Sequence, residues 1–502
     1  MTTFDPALLA AATAVAERRD PPAPVEPPPA PGADRSVRLR AGLALLLGAM
    51  VALLLARLAA YPLSNGDTFF HLRFGHEFLT GAWSLRHPGS VSSYATADWV
   101  PTQWLPQVVM AQVEEWFGLS GAAWLAGLQF LGLAATVYWA CRRHAEPLLS
   151  VLLVAATLAA CTPGMSMRPQ QISYVLVVVT TAAWLRARTT GRAPWVLVPL
   201  TWVWTMCHGM WPVGIVIGVV AVGGLALDRA HPPRVLARMA AVPLLSALAS
   251  LLTPVGPRLF GAVLEVNGRS QYFYEWGPPD FHEFYCVVLL LLLALALVPR
   301  LRRGSVDWFT LALVGLAALW AVYSLRTVPV AACMAAPLAA LALQPGLGPR
   351  PRVGRAERVV AVAVVAAALA GLALAVPHTA DRPATHPAWL DRTLPSLPDG
   401  TAVLADSSTG GYLMWRYHNL DLVAHGYGDT YTDAELERNA DIESVEAGWA
   451  DLVRDAEVDY ALVSPDTPLG YALQDLEEWT VVAGSGDLLL LAPPPGWMSA
   501  GS

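Results

Sequence analysis

Eleven apolar runs restrict this chain to one kind of solvent. They fall at residues 41–60, 120–140, 146–163, 171–186, 194–209, 212–228, 239–254, 284–299, 308–325, 328–345 and 358–377. A helix crossing the hydrocarbon of a bilayer needs about 20 mostly apolar residues. Only a helix or a closed barrel satisfies its own backbone there. The pattern predicts an α-helical polytopic membrane bundle of about 11 transmembrane helices, within one or two where Pro breaks a run. Composition agrees, with 55% hydrophobic and 14% charged residues, against about 25% charged in soluble domains.

The basic residues orient the bundle. All 32 are Arg. With the N-terminus inside, twenty of them fall in inner segments such as CRRH (141–144), RARTTGR (186–192) and RPRVGRAER (350–358). Seven lie in or near outer segments up to residue 377. The positive-inside rule then predicts a multi-pass protein of the cell membrane, N-terminus cytoplasmic and C-terminus extracytoplasmic. Residues 1–40 contain RRDPPAPVEPPPAPGADR (18–35) and read as a disordered, Pro-rich cytoplasmic tail. The run at 41–60 is too long and too far in for a signal peptide and reads as an uncleaved first span. The five Cys lie in or beside apolar runs without a CxxC pair, as structural thiols do.

Residues 378–502 change character. Short apolar strands at 401–406, 420–425, 459–464, 479–483 and 487–492 alternate with helix-like stretches near 408–417, 433–456 and 467–477. That alternation predicts a small α/β layer domain on the outer side, next to a transmembrane domain of residues 41–377. DSSTGG (406–411) reads as a plain strand-to-helix turn, since it lacks the spacing of a Gly-rich phosphate loop.

Chemistry gathers on the outer face. The long first outer loop, 61–119, opens with SNGDTFFHLRFGHEFLTG (64–81), which presents Asp67, His71, Arg73, His76 and Glu77 directly after the first span. His76 and Glu77 read as a solvated helix face. Asp67, at the end of a span and partly desolvated, is placed to act as an acid–base group. Arg168 and Arg326 sit in short outer turns, at the depth where a guanidinium forks onto a lipid phosphate. His71 and His208 are candidate bases, metal ligands or packing residues. Glu275 and Asp280 belong to the most charged outer loop after the first. Trp83, Trp99, Trp104, Trp116, Trp211 and Trp276 map to the same side, as an interfacial belt or as flat faces for sugar.

These motifs carry a resemblance. DTFFHLRFG (67–75), SSY (92–94), WVPTQWL (99–105), RPQ (168–170), WTMCHG (204–209), TPVG (253–256), EWGPPDF (275–281), SLRTVP (324–329) and GGYLMW (410–415) follow one another as in a bacterial membrane-protein family related to the GT-C glycosyltransferases. The family often has Glu where this chain has Gln103, and Asn where it has Thr253. The resemblance implies a GT-C-like bundle that transfers a sugar from a polyprenyl-phosphate donor to a cell-envelope glycan or protein acceptor on the outer face. Asp67 matches the acidic residue that is the usual catalytic group. It is grouped here with His71 as catalytic, and Arg168, His208, Glu275, Asp280 and Arg326 as binding. A divalent metal ion is the one cofactor such chemistry invites, through a metal-bound carboxylate. The expected partners are the lipid-linked donor, membrane lipids and the acceptor, with no nucleic acid.

Two other classes compete: a non-catalytic envelope scaffold and a lipid-linked glycan transporter. The spans are nearly free of Asp and Glu, whereas coupled transport uses intramembrane charge. No inverted repeat is visible either. A scaffold would not need Asp67.

Overall fold

The computed structural model describes residues 33–60, 65–350, 352–380 and 387–497. The expected Pro-rich tail falls mostly on residues 1–32, outside the described residues. Its last eight residues are not tail: helix α1 spans Ala33–Ala60.

Twelve further helices build the rest of the bundle and its connections. They are α2 (Gly66–Leu79), α3 (Trp104–Arg142), α4 (Pro147–Ala160), α5 (Gln170–Thr190), α6 (Leu197–Cys207), α7 (Trp211–Leu227), α8 (Pro233–Ser250), α9 (Arg258–Gly268), α10 (Phe284–Arg302), α11 (Trp308–Tyr323), α12 (Val328–Leu343) and α13 (Arg355–Thr379). Every one of the eleven apolar runs lies on one of these helices. Five described segments are long and apolar enough to cross a bilayer: Arg38–Ala60, Trp104–Arg142, Phe284–Arg302, Leu325–Gly346 and Arg355–Thr379. The segment at Leu325–Gly346 is packed on all sides, and Arg355–Thr379 is mostly open to its surroundings. Apolar helices that expose their side chains in this way need lipid as solvent. All five Cys are buried and free.

Helix α3 is two helices fused at Gly118, whose φ of 61° breaks the regular turn. Half-buried ion pairs fasten helices of the bundle to one another. Arg142 forks onto Glu357 at 2.6 and 2.9 Å, and Asp307 receives Arg188 at 2.9 Å and Arg300 at 3.4 Å.

After α13 comes the small domain. Strands β1 (Thr401–Ala405), β2 (Leu420–Leu422), β3 (Tyr460–Val463), β4 (Thr480–Ser485) and β5 (Leu488–Ala492) form one sheet in the order β2-β1-β3-β5-β4. The β1 pairings to β2 and β3 are parallel, and β5 pairs antiparallel with both β3 and β4. The turn at 406–411 is a strand-to-helix turn. Asp406 caps the helix Ser407–Arg416, its side chain accepting from the Ser408 amide at 2.8 Å.

Two motifs of the resemblance turn out to be docking devices. The first is the pair of small residues in GGYLMW: a Cβ on Gly411 would run into the Gly66 carbonyl. The helix Ser407–Arg416 therefore lies against α2 at backbone contact, with Phe69 of α2 packed on Tyr412 at 4.9 Å and Trp415 at 5.3 Å. The second is SSY. Ser92 donates to the Leu422 carbonyl at 2.7 Å, and Tyr94 to the Ala456 carbonyl at 2.7 Å. Residues 92–97 thus strap the small domain to the segment after α2.

Candidate functional site

A cavity of about 450 Å³ opens where the small domain meets the bundle. Six of the seven candidate residues line it: Asp67, His71, Arg168, His208, Glu275 and Arg326. They come from five separate stretches of chain, and the local fold places each.

Asp67 stands in the first turn of α2. The Asn65 side chain caps that helix by accepting the Asp67 amide at 2.9 Å, and a carboxylate is favoured at this positive end of the helix dipole. One turn on, His71 points toward α3 and holds Gln107 Nε2 at 3.0 Å from its Nδ1. Gly75 lets the helices meet that closely, since a Cβ there would strike the Gln107 carbonyl. This explains the Gly that closes DTFFHLRFG. Thr68 donates to the Met167 carbonyl at 3.0 Å, so α2 also fixes the turn that carries Arg168.

Arg168 is the hub. Its side chain is 6% exposed and bridges two carboxylates, with Nη1 at 2.5 Å from Asp67 Oδ2 and Nη2 at 2.8 Å from Glu275 Oε1. Burial works against its charge, but the two carboxylates outweigh burial and hold the guanidinium more firmly protonated than usual. Burial likewise works against charge on Glu275, yet Arg168 and Arg326 hold its carboxyl below the usual range. Arg326 sits in the turn after α11, 3.9 Å from Glu275. Its guanidinium lies 5.0 Å above the Trp276 ring and 3.4 Å from His208 Nε2. The far nitrogen of His208 meets Ser173 at 3.0 Å. The result is a row of two guanidiniums and two carboxylates with two imidazoles beside them.

Burial, reinforced by Arg168 and Arg326, pushes His71 well below the ordinary histidine value. The folded protein therefore favours the neutral ring, while the unfolded chain takes up a proton near pH 6.5. Stability is expected to be full above about pH 6.5 and to fall as the pH drops below it. His71→Gln is expected to flatten that limb of a Tm-against-pH curve. An unchanged slope would mean that His71 does not set it.

Some expectations need correction. Asp280 is not part of the site: its carboxylate is 59% exposed and turns back onto His282 at 2.9 Å. The two prolines at 278–279 carry it past the cavity. His76 and Glu77 are not a merely solvated face, since His76 Nε2 sits 2.7 Å from Glu114 and Glu77 pairs with Arg73 at 2.8 Å. Of the outer Trp set, only Trp276 lines the cavity. Trp83 and Trp99 pack with Phe74, Phe78 and Tyr427 beneath the small domain, and Trp211 is buried on Phe260. Aromatic area was needed there to glue two units together.

Other lining residues escaped the sequence reading. Gln103, Tyr427 and Asp429 share the cavity wall with Asp67. Gln103 had drawn notice only as a departure from the family pattern. Tyr427 and Asp429 lie in a loop after β2 with no sequence signal of their own.

Among the described residues no three His, Cys, Asp or Glu gather as a metal cage. The two carboxylates nearest each other on Arg168, Asp67 and Glu275, are bridged by its guanidinium instead. The donor set does not fit a divalent cation, and no step below runs through one.

With that geometry in hand, comparison with solved structures defines the class. The chain is similar to the Archaeoglobus fulgidus oligosaccharyltransferase tethered with an acceptor peptide containing the NVT sequon, at 10% identity and a TM-score of 0.53, covering 87% of this chain and 69% of that one. The Archaeoglobus fulgidus oligosaccharyltransferase AglB in complex with an inhibitory peptide and a dolichol-phosphate matches at 11% identity and a TM-score of 0.51, covering 93% and 75%. ArnT from Cupriavidus metallidurans bound to undecaprenyl phosphate aligns at 16% identity and a TM-score of 0.44, over 93% and 99%. No protein-family profile matches the chain, and no curated protein matches it. The oligosaccharyltransferases are GT-C glycosyltransferases, and this likeness establishes the fold. The chain is a polytopic helical membrane protein of the GT-C fold.

Proposed function

We propose that this protein transfers a sugar from a polyprenyl-phosphate donor to a cell-envelope acceptor, and that the small domain and the cavity face the outside of the cell. The observation that carries the reading is the pair Arg168–Arg326, two guanidiniums joined by Glu275 beside Asp67 in a cavity at one end of an apolar bundle. A lipid phosphate presents an anionic head on an apolar tail, and guanidiniums match that head with forked, charge-assisted bonds. Arg326 is the more available of the two, since its ion pair is long and its other contacts are the Trp276 face and the His208 ring nitrogen.

Glycosyl transfer builds positive charge on the anomeric carbon and negative charge on the leaving phosphate. In this reading Arg168 and Arg326 receive the phosphate charge. Asp67 fixes Arg168 and faces the developing positive charge of the sugar. The imidazoles of His71 and His208 stay neutral and donate or accept hydrogen bonds at the cavity wall.

The cationic end makes the first test. Purified full-length protein is titrated with a synthetic polyprenyl phosphate and followed by native mass spectrometry. Wild type is expected to bind. Arg326→Ala is expected to lose about 10- to 100-fold in affinity, since a hydrogen bond to a charged group contributes about 1.5–3 kcal/mol. Failure of the wild type to bind any polyprenyl phosphate would remove the donor assignment.

A further inference from the structure

Resting on that reading, we propose that Asp429, contributed by the small domain, is the base that takes the acceptor hydroxyl's proton. The transmembrane unit would then hold only the donor half of the chemistry. Four observations lead there.

First, the four carboxylates that line the cavity are not equivalent, and Glu443 is taken up by the Ser407 amide and hydroxyl. Asp67 and Glu275 are both engaged by Arg168, whereas Asp429 makes no ion pair among the described residues. Second, Asp429 shares the cavity with them. It is held by a tight turn, Gly428–Thr430, directly after the Tyr427 that packs against Phe70 at 4.7 Å and Phe74 at 4.9 Å. Its backbone is therefore positioned by the domain junction. Third, the Tyr427 side chain is 5% exposed, lines the same cavity, and turns its hydroxyl toward Asp429. A ligand hydroxyl lodged there would meet both the phenol and the carboxylate. Fourth, burial raises the Asp429 carboxyl above its ordinary value, toward the range in which a base works near neutral pH. The charged and titratable groups that face it are Arg326, Tyr427, Arg269 and Glu265, of which the two Arg and the Tyr427 hydroxyl act against the rise.

The step balances without a further reactant. The acceptor O–H proton passes to an Asp429 carboxylate oxygen while the acceptor oxygen bonds to the anomeric carbon. The bond from that carbon to the phosphate oxygen breaks, and its electron pair leaves on polyprenyl phosphate, facing Arg168 and Arg326. The substrate class is an acceptor with a free hydroxyl, entering from the small-domain side.

The test uses the full chain, wild type or Asp429→Asn, restored at matched expression to a deletion strain. Lipid-linked sugars are quantified by mass spectrometry. Membranes of the deletion strain supply donor and acceptor for rate measurements at several pH values. Asp429→Asn is expected to accumulate the lipid-linked sugar as the deletion does and to lower the rate by about 10²–10⁴-fold. Its affinity for synthetic polyprenyl phosphate should stay within about twofold of wild type, which also shows that the variant is folded. Asp429→Glu is expected to keep part of the rate and to move the acid limb of the pH–rate profile, which a purely structural residue would leave in place. A wild-type lipid profile for Asp429→Asn, in a system where deletion does cause accumulation, overturns the assignment and leaves the transferase reading intact. A deletion that leaves lipid-linked sugars unchanged overturns both.

Discussion

Asp67→Asn is expected to abolish most sugar transfer, by about 10²–10³-fold, while leaving the protein folded and able to bind polyprenyl phosphate. The substitution keeps the shape of the side chain and removes its charge. Arg168 still has Glu275 at 2.8 Å, so the guanidinium is not abandoned in a buried site. What disappears, in the proposed reading, is the negative charge facing the sugar, together with the clamp that fixes Arg168 at 2.5 Å. In a deletion strain complemented with Asp67→Asn, the lipid-linked donor should accumulate as in the deletion itself. If the variant restores a wild-type profile at matched expression, Asp67 is not the catalytic group. A scaffold or transport role would then gain ground.

Arg168→Ala is expected to cost both stability and donor binding. Removing one partner of a buried ion pair destabilises by about 3–5 kcal/mol. The Asp67 and Glu275 side chains are 36% and 34% exposed, so solvent screens part of that, and about 2–3 kcal/mol is the expected loss. Polyprenyl phosphate should no longer bind measurably. Arg168→Lys keeps the charge but has one ammonium where the fork reaches Asp67 and Glu275 with separate nitrogens, so it should recover stability only in part. Glu275→Gln in the Arg168→Ala background should return some stability, because it removes a stranded charge, without returning binding. Thermal unfolding in detergent reads the first effect and native mass spectrometry the second. An Arg168→Ala protein as stable as wild type would show that the bridge does not hold the site together.

The sequence spoke clearly wherever the signal was periodic or one-dimensional. Apolar runs marked the helices because lipid accepts only continuous apolar stretches. Each of the five strands of the small domain begins in one of the five apolar runs read there, β4 passing the end of its run by two residues, and β1 and β3, buried throughout or nearly so, read as unbroken apolar stretches. The site was partly legible too. Asp67, His71, Arg168, His208, Glu275 and Arg326 stood out because charge and imidazole beside spans are costly and rarely idle.

The misses share a cause. Asp280 and Glu275 lie five residues apart in one charged loop, and only the path of the chain through Gly277 and the following prolines separates them. Trp83 and Trp99 read as an interfacial belt or as faces for sugar because nothing local records that a second domain covers them. Asp429 was silent for the same reason, being an ordinary loop carboxylate until the fold sets it in the wall that holds Asp67.

What the sequence by itself determined, then, is the solvent, the helices, the small α/β sheet and a short set of residues worth suspecting. Those follow from hydropathy and spacing along the chain. Only the tertiary structure decided that Arg168 bridges Asp67 and Glu275, that Gly66 and Gly411 bring the small domain down to backbone contact, and that a carboxylate from residue 429 shares a cavity with one from residue 67. Ion pairs and cavity walls are set by distances between residues hundreds of positions apart, and those distances exist only once the bundle and the domain have packed.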